Sequence, residues 1–429
     1  MRGLRRGEPL KIVHAADLHI DSPLRGLERY EGAPVAQIRG ATRRAFENLI
    51  GLCLAEEVDL LLLAGDIYDG DWRDYNTGLF FAAQLSRLRS AGVRVIMVRG
   101  NHDAQSQITR HLELPEHVRV LDHQAPERIV DERLGVAVVG QSFPTRAVTD
   151  DLAAAYPDAL PGLFNIGLLH TALGGREGHE NYAPCTLGTL LGRGYQYWAL
   201  GHIHAREVVN ADPLVVFPGN LQGRHAREAG EKGATLLTVE GGRVTSMVHR
   251  PLDVVRWQVC EVDVSGAQSG LDAVDLAREQ LEQALAEAGG RAVAARVVLR
   301  GKTRAHAELH GKLEQWTQQL RAAANDAGGE GLWVEQVRLK TWAPVDAVAL
   351  GERDDAIGQL ARSLRSLRDD DQELGRLLGE LSGLRAKLPA EAREMDEGLR
   401  LEDPALLKDA LEDVEQLLLS RLLSKSSEG

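Results

Sequence analysis

The first 250 residues alternate between short apolar segments and longer segments whose apolar residues recur at helical spacing. The apolar segments are four to seven residues long, which is the length of buried strands. We predict strands at residues 10–15, 58–64, 93–98, 137–140, 164–170, 197–200, 214–217 and 234–239, and helices at residues 41–56 and 78–91. This alternation predicts a layered α/β domain, in which ligands usually bind beyond the carboxyl ends of the strands.

A second pattern begins near Pro251. Strand-like segments at residues 257–264, 292–300 and 332–342 alternate with helical segments at residues 271–288 and 306–324. From Asp346 onward the chain is leucine-rich, highly charged and helical, with a break around Pro389. We therefore predict three parts: an α/β domain in residues 1–252, a small α/β domain in residues 253–345 and a helical segment in residues 346–429.

Composition and cysteine spacing narrow the class of protein. Hydrophobic residues make up 44% of the chain and charged residues 26%, which is typical of a soluble globular protein. No apolar run approaches the roughly 20 residues of a membrane span, and the N-terminus does not resemble a signal peptide. Cys53, Cys185 and Cys260 form no CxxC pair, which argues against disulfides and zinc–cysteine sites. We therefore expect a cytoplasmic protein with no membrane partner.

The formal net charge of −13 is unusual for a protein that binds nucleic acid. Residues 346–429 contribute −8 of this charge, from 12 basic and 20 acidic residues. The remaining −5 includes acidic residues that follow the predicted strands, where bound cations would offset them. The charge lowers the expectation of strong nonspecific DNA binding, but it is compatible with a local basic groove or with a partner that supplies one.

Five polar clusters follow successive predicted strands of the first domain. In chain order they are Asp17-Leu18-His19, Gly65-Asp66-Ile67-Tyr68-Asp69, Gly100-Asn101-His102-Asp103, His170 and Gly201-His202-Ile203-His204. Each cluster alone is a weak signal, because a single histidine after a strand is usually structural. Their order, their residue types and their common position after strand ends point together to one site.

The residue types in these clusters are those that a pair of divalent metal ions requires. Two ions about 3.5–4 Å apart need a bridging carboxylate, and Asp66 directly follows a buried strand. Imidazoles, carboxylates and an amide oxygen complete such shells for Mn, Fe or Zn. Residues two apart in an extended chain point to the same side, which applies to Asp17 with His19 and to His202 with His204. The clusters therefore predict a two-metal site.

The set DxH, GD, GNHD, H and GHxH resembles the calcineurin-like metallophosphoesterase superfamily over residues 10–220. The resemblance implies a layered β-sandwich flanked by helices, followed by a small α/β capping domain and C-terminal helices. It assigns Asp17, His19, Asp66 and His204 to one metal ion, and Asp66, Asn101, His170 and His202 to the other. Mn²⁺ is the expected metal, with Fe or Zn as alternatives. His102 corresponds to the general acid that protonates the leaving oxygen, and Asp103 would orient its ring.

Further motifs distinguish the branches of this superfamily. The GDxVDRG pattern of Ser/Thr phosphatases is absent, because residues 65–70 read GDIYDG. The segments HAADLHIDSP at residues 14–23 and FPGNLQGRH at residues 217–225 resemble the bacterial YhaO group of DNA repair exonucleases, which are relatives of the nuclease SbcD. This resemblance implies a metal-dependent exo- or endonuclease that acts on DNA in repair or processing.

Four further residues are candidates for substrate binding. Relatives from archaea and eukaryotes carry a histidine three residues after the bridging aspartate, where it helps to place the substrate phosphate, and Asp69 occupies that position here. Arg224 and His225 lie in a predicted loop from which they would contact DNA phosphate, and Asn220 is a similar candidate. The alternative for Arg224 is an ordinary surface residue.

Leucines at helical spacing give the segment 346–429 an apolar face. They are Leu360, Leu364, Leu367, Leu374, Leu377, Leu378 and Leu381. This face either folds back on its own domain or binds a partner. The resemblance implies that the partner is the coiled-coil base of an SbcC- or YhaN-like ATPase, and it also implies a homodimer.

Two other functions fit the same residues. A phosphodiesterase of small substrates would have the same metal core, but it has little need for a leucine-rich tail. A scaffold subunit with a vestigial site is disfavoured, because every core ligand and His102 are present.

Overall fold

The computed structural model of the protein describes residues 9–22, 40–69, 75–105, 113–174, 182–344 and 347–370, together with residues 372–377 and 379 and several positions between 407 and 422. The chain divides into two compact units, Met1–Trp257 and Gln258–Gly429. This division falls close to the boundary predicted at residue 252, and the separate status of residues 346–429 stays a prediction.

The first unit contains twelve strands and four helices among its described residues. The strands are β1 (Leu10–Ala15), β2 (Leu60–Ala64), β3 (Arg94–Val98), β4 (Val118–Val120), β5 (Glu127–Asp131), β6 (Val136–Gly140), β7 (Phe164–His170), β8 (Tyr197–Gly201), β9 (Glu207–Ala211), β10 (Leu214–Phe217), β11 (Gly233–Glu240) and β12 (Arg243–Pro251). The helices are α1 (Ala41–Ala55), α2 (Tyr75–Ala91), α3 (Asn101–Gln105) and α4 (Leu187–Leu191), with short 3-10 turns at Leu152–Ala155 and Ala226–Glu228.

The strands form two six-stranded sheets that pack face to face. Their orders are β12-β11-β1-β2-β3-β4 and β5-β6-β7-β8-β10-β9. One apolar core joins Leu62 and Ile96 of the first sheet to Val138, Leu168 and Ala199 of the second. The predicted layered β-sandwich is confirmed by this arrangement.

The outer faces of the sandwich are covered by helices. Strand β2 reads LLLLA and is buried along its whole length, because Leu60 and Leu62 face the other sheet while Leu61 faces the helices. Phe46 of α1 and Phe81 of α2 stack against each other in this outer core, with ring centroids 5.2 Å apart. Burial on both faces explains why the strand lacks the polar alternation of a half-exposed sheet.

Parallel pairing places the carboxyl ends of three strands of the first sheet and two strands of the second at the same end of the sandwich. Strands β1, β2 and β3 are parallel neighbours in the first sheet, and β7 and β8 are parallel neighbours in the second. All five polar clusters follow these strands or end them. The fold therefore places side chains from distant parts of the sequence at one end of the sandwich.

The second unit has an α/β core built on a three-stranded sheet. Its elements are β13 (Val255–Asp263), α5 (Gly270–Glu287), β14 (Ala292–Lys302), α6 (His306–Gly311), α7 (Leu313–Gly328) and β15 (Leu332–Trp342), in the sheet order β13-β14-β15. The helices pack on one face, where Leu281 and Leu320 meet Val297. The helix predicted over residues 306–324 is two helices, which separate after Gly311 at Lys312, where φ is −136°.

Two further helices follow the sheet, α8 (Ala347–Gly351) and α9 (Ala356–Asp369). Asp355 caps α9 by accepting a hydrogen bond from the Gly358 amide. Of the leucines predicted to form an apolar face, Leu378 and Leu381 lie outside the residues whose side chains are described. In the part of the chain that the structure covers, every helix is too short or too polar to cross a bilayer.

Candidate metal centre and active site

The backbone bends sharply where the polar clusters leave their strands. Asp17, His19, Asp66 and His202 all have positive φ, at 51°, 41°, 52° and 102°. A residue with a side chain pays a steric cost in this left-handed region, and such residues concentrate at functional sites. Four of the seven predicted metal ligands therefore hold strained conformations at one end of the sandwich.

Glycines at this edge permit close approach of the backbone. Gly65 has φ +90°, and a Cβ atom there would lie 2.6 Å from Nδ1 of His170. At Gly201 the reason is space rather than φ, because a Cβ atom would lie 1.9 Å from the Ala64 carbonyl oxygen. Gly65 and Gly201 thus serve mainly to bring the ligand-bearing strands close together.

The first group of candidate ligands is Asp17, His19 and His204. One ligand atom from each lies within 4.8 Å of the others. The Asp17 carboxylate accepts a hydrogen bond from the His202 amide, which fixes its position. Nε2 of His19 faces Nε2 of His204 at 3.3 Å, a spacing that suits two imidazoles sharing one ion.

The second group is Asp66, Asn101, His170 and His202, in which the histidines and Asp66 lie within 4.8 Å of one another. Nδ1 of His170 lies 2.9 Å from the Ala64 carbonyl oxygen and must donate a proton to it. Its Nε2 atom is then an acceptor, and it faces the Asn101 amide oxygen at 2.9 Å and Oδ2 of Asp66 at 3.5 Å. These three atoms are all hydrogen-bond acceptors, and no proton lies between them. Their lone pairs therefore fit a bound cation.

Asp66 lies between the two groups. Its Oδ2 atom is 3.5 Å from Nε2 of His170 and 3.9 Å from Nε2 of His19. Its other oxygen accepts the His102 amide at 3.0 Å. The carboxylate therefore has the position that a bridging ligand requires, and the two groups together fit a dimetal site.

Burial controls the protonation of these groups. Burial, together with the nearby Asp66, raises the pKa of Asp17 well above its ordinary value. Burial lowers the pKa of His170 and that of His19, which keeps both imidazoles neutral and able to ligate metal. Burial would also raise the pKa of Asp66, but His170 and His102 outweigh it and hold the pKa below its ordinary value.

His102 lies beside the metal ligands with its ring 32% exposed, so that a substrate can reach it. Its centroid is 5.1 Å from that of His19. The carboxylate at its Nδ1 atom is that of Asp69, at 3.2 Å. Asp69 is held in turn by Ser22, whose hydroxyl donates to its other oxygen at 2.8 Å. The sequence predicts that Asp69 binds substrate, and this contact gives it a position from which it can orient the general acid.

Asp103 has a different place from the predicted one. One of its oxygens accepts the Ile67 and Tyr68 amides, and the other accepts the Gly100 amide. Burial, with the charge of Asp66, raises its pKa to about 7. The prediction that Asp103 orients the His102 ring is therefore corrected: Asp103 fixes the loops after β2 and β3, and Asp69 faces the ring.

The predicted substrate-binding residues of the loop after β10 are engaged in the protein. Asn220 is fully buried and donates to Glu228 and to the Gln222 carbonyl oxygen. Arg224 donates to Glu228 at 3.0 Å and has a side-chain exposure of 16%. These contacts argue against direct binding of substrate by Asn220. Only a small exposed part of the Arg224 side chain can contact a substrate.

His225 contacts the same carboxylate from the side, with its Nε2 atom 3.8 Å from Glu228. Burial lowers its pKa, and its side chain is 34% exposed. His225 therefore keeps enough exposure for the predicted phosphate contact, which stays a prediction.

Glu228 is a buried residue beside the candidate site that the sequence did not reveal. Burial would raise its pKa, but Arg224 and His204 outweigh burial and hold the pKa well below its ordinary value. It is thus an ionised, buried carboxylate directly behind a candidate metal ligand. It belongs to none of the five clusters, and a glutamate in a charged loop has no spacing that marks it.

Two protein-family models match the chain. Residues 10–206 match the calcineurin-like phosphoesterase family, and residues 257–342 match the middle domain of metallophosphoesterase YhaO. The first match spans all seven candidate ligands and His102. The second covers the three-stranded sheet almost completely, together with helices α5, α6 and α7.

Individual relatives agree with these matches. The chain is 38% identical to an uncharacterized metallophosphoesterase, YhaO of Bacillus subtilis, over 61% of its own length and 64% of the relative. It is 30% identical to the SbcD component of the nuclease SbcCD of Rhodobacter capsulatus, over 42% of each chain. The chain therefore spans less than two thirds of either curated relative. A crystal structure of TT1561 from Thermus thermophilus has a TM-score of 0.34 and 16% identity over 56% of this chain and 99% of that one.

Proposed function

Since residues 10–206 are a calcineurin-like metallophosphoesterase domain, we propose that the protein is a two-metal phosphodiesterase that cuts DNA. The observation that supports it most is the meeting of acceptors around Asp66 with His102 beside them. Acceptor atoms this close together are stabilised by bound cations. The exposed imidazole of His102 beside them is placed to transfer a proton.

Asp17, His19, Asp66 and His204 would hold one ion, and Asp66, Asn101, His170 and His202 the other. When bound, the pair would supply Lewis acidity at phosphorus and a nucleophilic water at neutral pH. The chain's own groups do the rest: His102 gives a proton to the leaving oxygen of the substrate, and Asp69 holds the ring by its Nδ1 atom. The N/O ligands suit Mn²⁺, and they also suit Fe or Zn.

DNA is the proposed substrate because several features agree with it. A curated relative is the SbcD component of the nuclease SbcCD, and the opening motif resembles DNA repair exonucleases. In the second unit, one face of the sheet packs against the helices. The opposite face carries Arg300 and Lys302 on β14 and Lys340 on β15. All three are exposed, and Arg300 also pairs with Glu261 of β13 at 3.3 Å, so an otherwise acidic chain carries a group of basic side chains there for phosphate contacts.

A coiled-coil ATPase of the SbcC or YhaN type is the proposed partner, and the C-terminal segment is its proposed docking site. Part of the predicted apolar face is covered by the chain itself, because Leu374 and Leu419 are buried and Arg368 pairs with Glu415 at 3.3 Å. Val414, Leu418 and Leu422, four residues apart, are 38–43% exposed. This exposed stripe is the surface that a partner helix would cover.

Cleavage assays on the purified full-length chain with Mn²⁺ test the proposal. Labelled single- and double-stranded DNA and bis-p-nitrophenyl phosphate are compared, with Asp66→Ala as the control for metal dependence. We expect cleavage of both kinds of substrate and loss of both in the variant. Cleavage of the small diester alone, unchanged after addition of the ATPase, would favour the small-substrate phosphodiesterase. Inactivity on every substrate despite bound metal would favour a scaffold subunit.

A further inference from the structure

The region behind His204 contains a buried polar cluster that lies outside the metal-binding motifs. Glu228, 24 residues away in the chain, has its Oε1 atom 2.6 Å from Nδ1 of His204. The Lys232 side chain donates to the His204 carbonyl oxygen at 2.8 Å, and the backbone amide of Asn220 donates to the same oxygen at 3.2 Å. Both the ring and the backbone of this one candidate ligand are therefore held by the segment 220–232.

The short contact determines which nitrogen of His204 carries the proton. A carboxylate oxygen only accepts, so an imidazole nitrogen 2.6 Å away must carry hydrogen. Arg224 Nη2 lies 3.1 Å from the same Nδ1 atom because it also donates to Oε1, at 3.0 Å, so two donors converge on one oxygen. With the proton on Nδ1, the Nε2 atom keeps its lone pair and faces Nε2 of His19.

Glu228 itself cannot be a ligand in this arrangement. Its Oε2 atom accepts the Asn220 amide group at 2.8 Å and the Arg224 backbone amide at 2.7 Å. The carboxylate is 6% exposed and lies on the far side of the imidazole from the other candidate ligands. Its contacts orient a ligand rather than bind metal.

We infer that Glu228 is the positioning residue of the metal centre: through Nδ1 of His204 it fixes the tautomer and the orientation that allow Nε2 to bind the ion shared with Asp17 and His19. The inference rests on the proposed two-metal function and deepens it. It also gives the segment 220–232 a structural purpose, because Asn220, Arg224 and Lys232 hold either Glu228 or the His204 backbone in place.

Metal binding by the full-length chain tests the inference without any activity measurement. Wild type, Glu228→Gln and Glu231→Gln are titrated with Mn²⁺ by calorimetry, and bound metal is counted after gel filtration. Glu231 is the matched control, because it is three residues away and pairs with Arg256 instead. We expect two ions in wild type and in the control, and in Glu228→Gln about 10- to 100-fold weaker binding at one of the two sites.

The outcomes separate the inference from the proposed function. Two ions bound with wild-type affinity by Glu228→Gln would overturn the inference alone. Fewer than two ions in the wild type would overturn both.

A second measurement does not require the Glu228→Gln variant to fold. Nitrogen-15 NMR of the histidine rings in wild-type protein, with His204 assigned from a His204→Asn sample, should show the Nδ1–H form. The Nε2–H form would overturn the inference.

Discussion

The two halves of the candidate metal centre hold their histidines by different means. In the half built on Asp66 and His170, the imidazole proton goes to a backbone carbonyl, that of Ala64. In the half built on Asp17 and His204, it goes to the side chain of Glu228. A backbone acceptor cannot be removed by substitution, whereas a side-chain acceptor can. The comparison predicts that substitutions weaken metal binding more easily in the half built on Asp17 and His204.

Asp66→Asn should have the largest effect, because it breaks both halves at once. The amide keeps the size of the side chain but removes the charge between His19 and His170. We expect a loss of phosphodiester cleavage on the order of 10³-fold or more, since several kcal/mol of metal-derived stabilisation disappears. Metal counting should show neither ion firmly bound, and one ion retained at full affinity would contradict the bridging position.

His102→Gln should leave both halves intact and remove only proton transfer. We expect DNA cleavage to fall about 10²- to 10⁴-fold with two ions still bound. The fall should be much smaller with bis-p-nitrophenyl phosphate, because p-nitrophenolate leaves without a proton. Parallel rate measurements on the two substrates check this, and an equal loss on both would mean that His102 is not the general acid.

Asp69→Asn distinguishes orientation of His102 from direct binding of substrate, and its effect should be smaller. The substituted amide would keep the contact with Ser22 but lose the charge beside Nδ1 of His102. We expect kcat to fall about 10- to 100-fold while KM changes little, as for other residues that orient a functional side chain. A raised KM with an unchanged kcat would restore the substrate-binding role predicted from the sequence.

The sequence predicted the interior of the fold better than its edges. The strands it missed, β4, β5, β9 and β12, are the four edge strands of the two sheets. An edge strand packs on fewer neighbours and tolerates polar residues, so EVVNA in β9 and RVTSMVHRP in β12 lack the apolar runs of central strands. Central strands such as β2 are buried on both faces and are evident in the sequence for that reason.

The same distinction applies to the site. Its seven candidate ligands follow strand ends within short motifs, so order and residue type were enough to predict them as one set, and the structure places their side chains together. The contacts that hold those ligands and the general acid arise from tertiary packing alone, such as Glu228 behind His204 and Asp69 beside His102. Neither pairing has a characteristic spacing, because the partners come from separate loops, and the assignment of Asp103 to His102 was incorrect for this reason.

The second unit offers a buried histidine whose Nδ1 atom contacts a hydroxyl rather than a carboxylate, which sharpens the comparison. His306 and its neighbour His310 both contact the Thr341 hydroxyl, at 3.0 and 3.2 Å. Burial, followed by the neighbouring His310, lowers the pKa of His306 to about 4. Because the pKa is lower in the folded chain, the unfolded chain binds a proton between pH 6.5 and pH 4 that the folded chain does not bind. The free energy of unfolding should therefore fall as the pH is lowered from 6.5 to 4, and this histidine should have little effect above pH 6.5.

Substitution of this histidine gives the smallest expected effect. Wild type and His306→Gln are unfolded in urea with EDTA at about pH 7 and about pH 4.5, so that metal release contributes equally to both chains. The wild type should lose about 1–2 kcal/mol more than the variant across that interval, since one group contributes at most about 1.4 kcal/mol per pH unit. Equal losses would mean that His306 protonates in the folded chain as easily as in water.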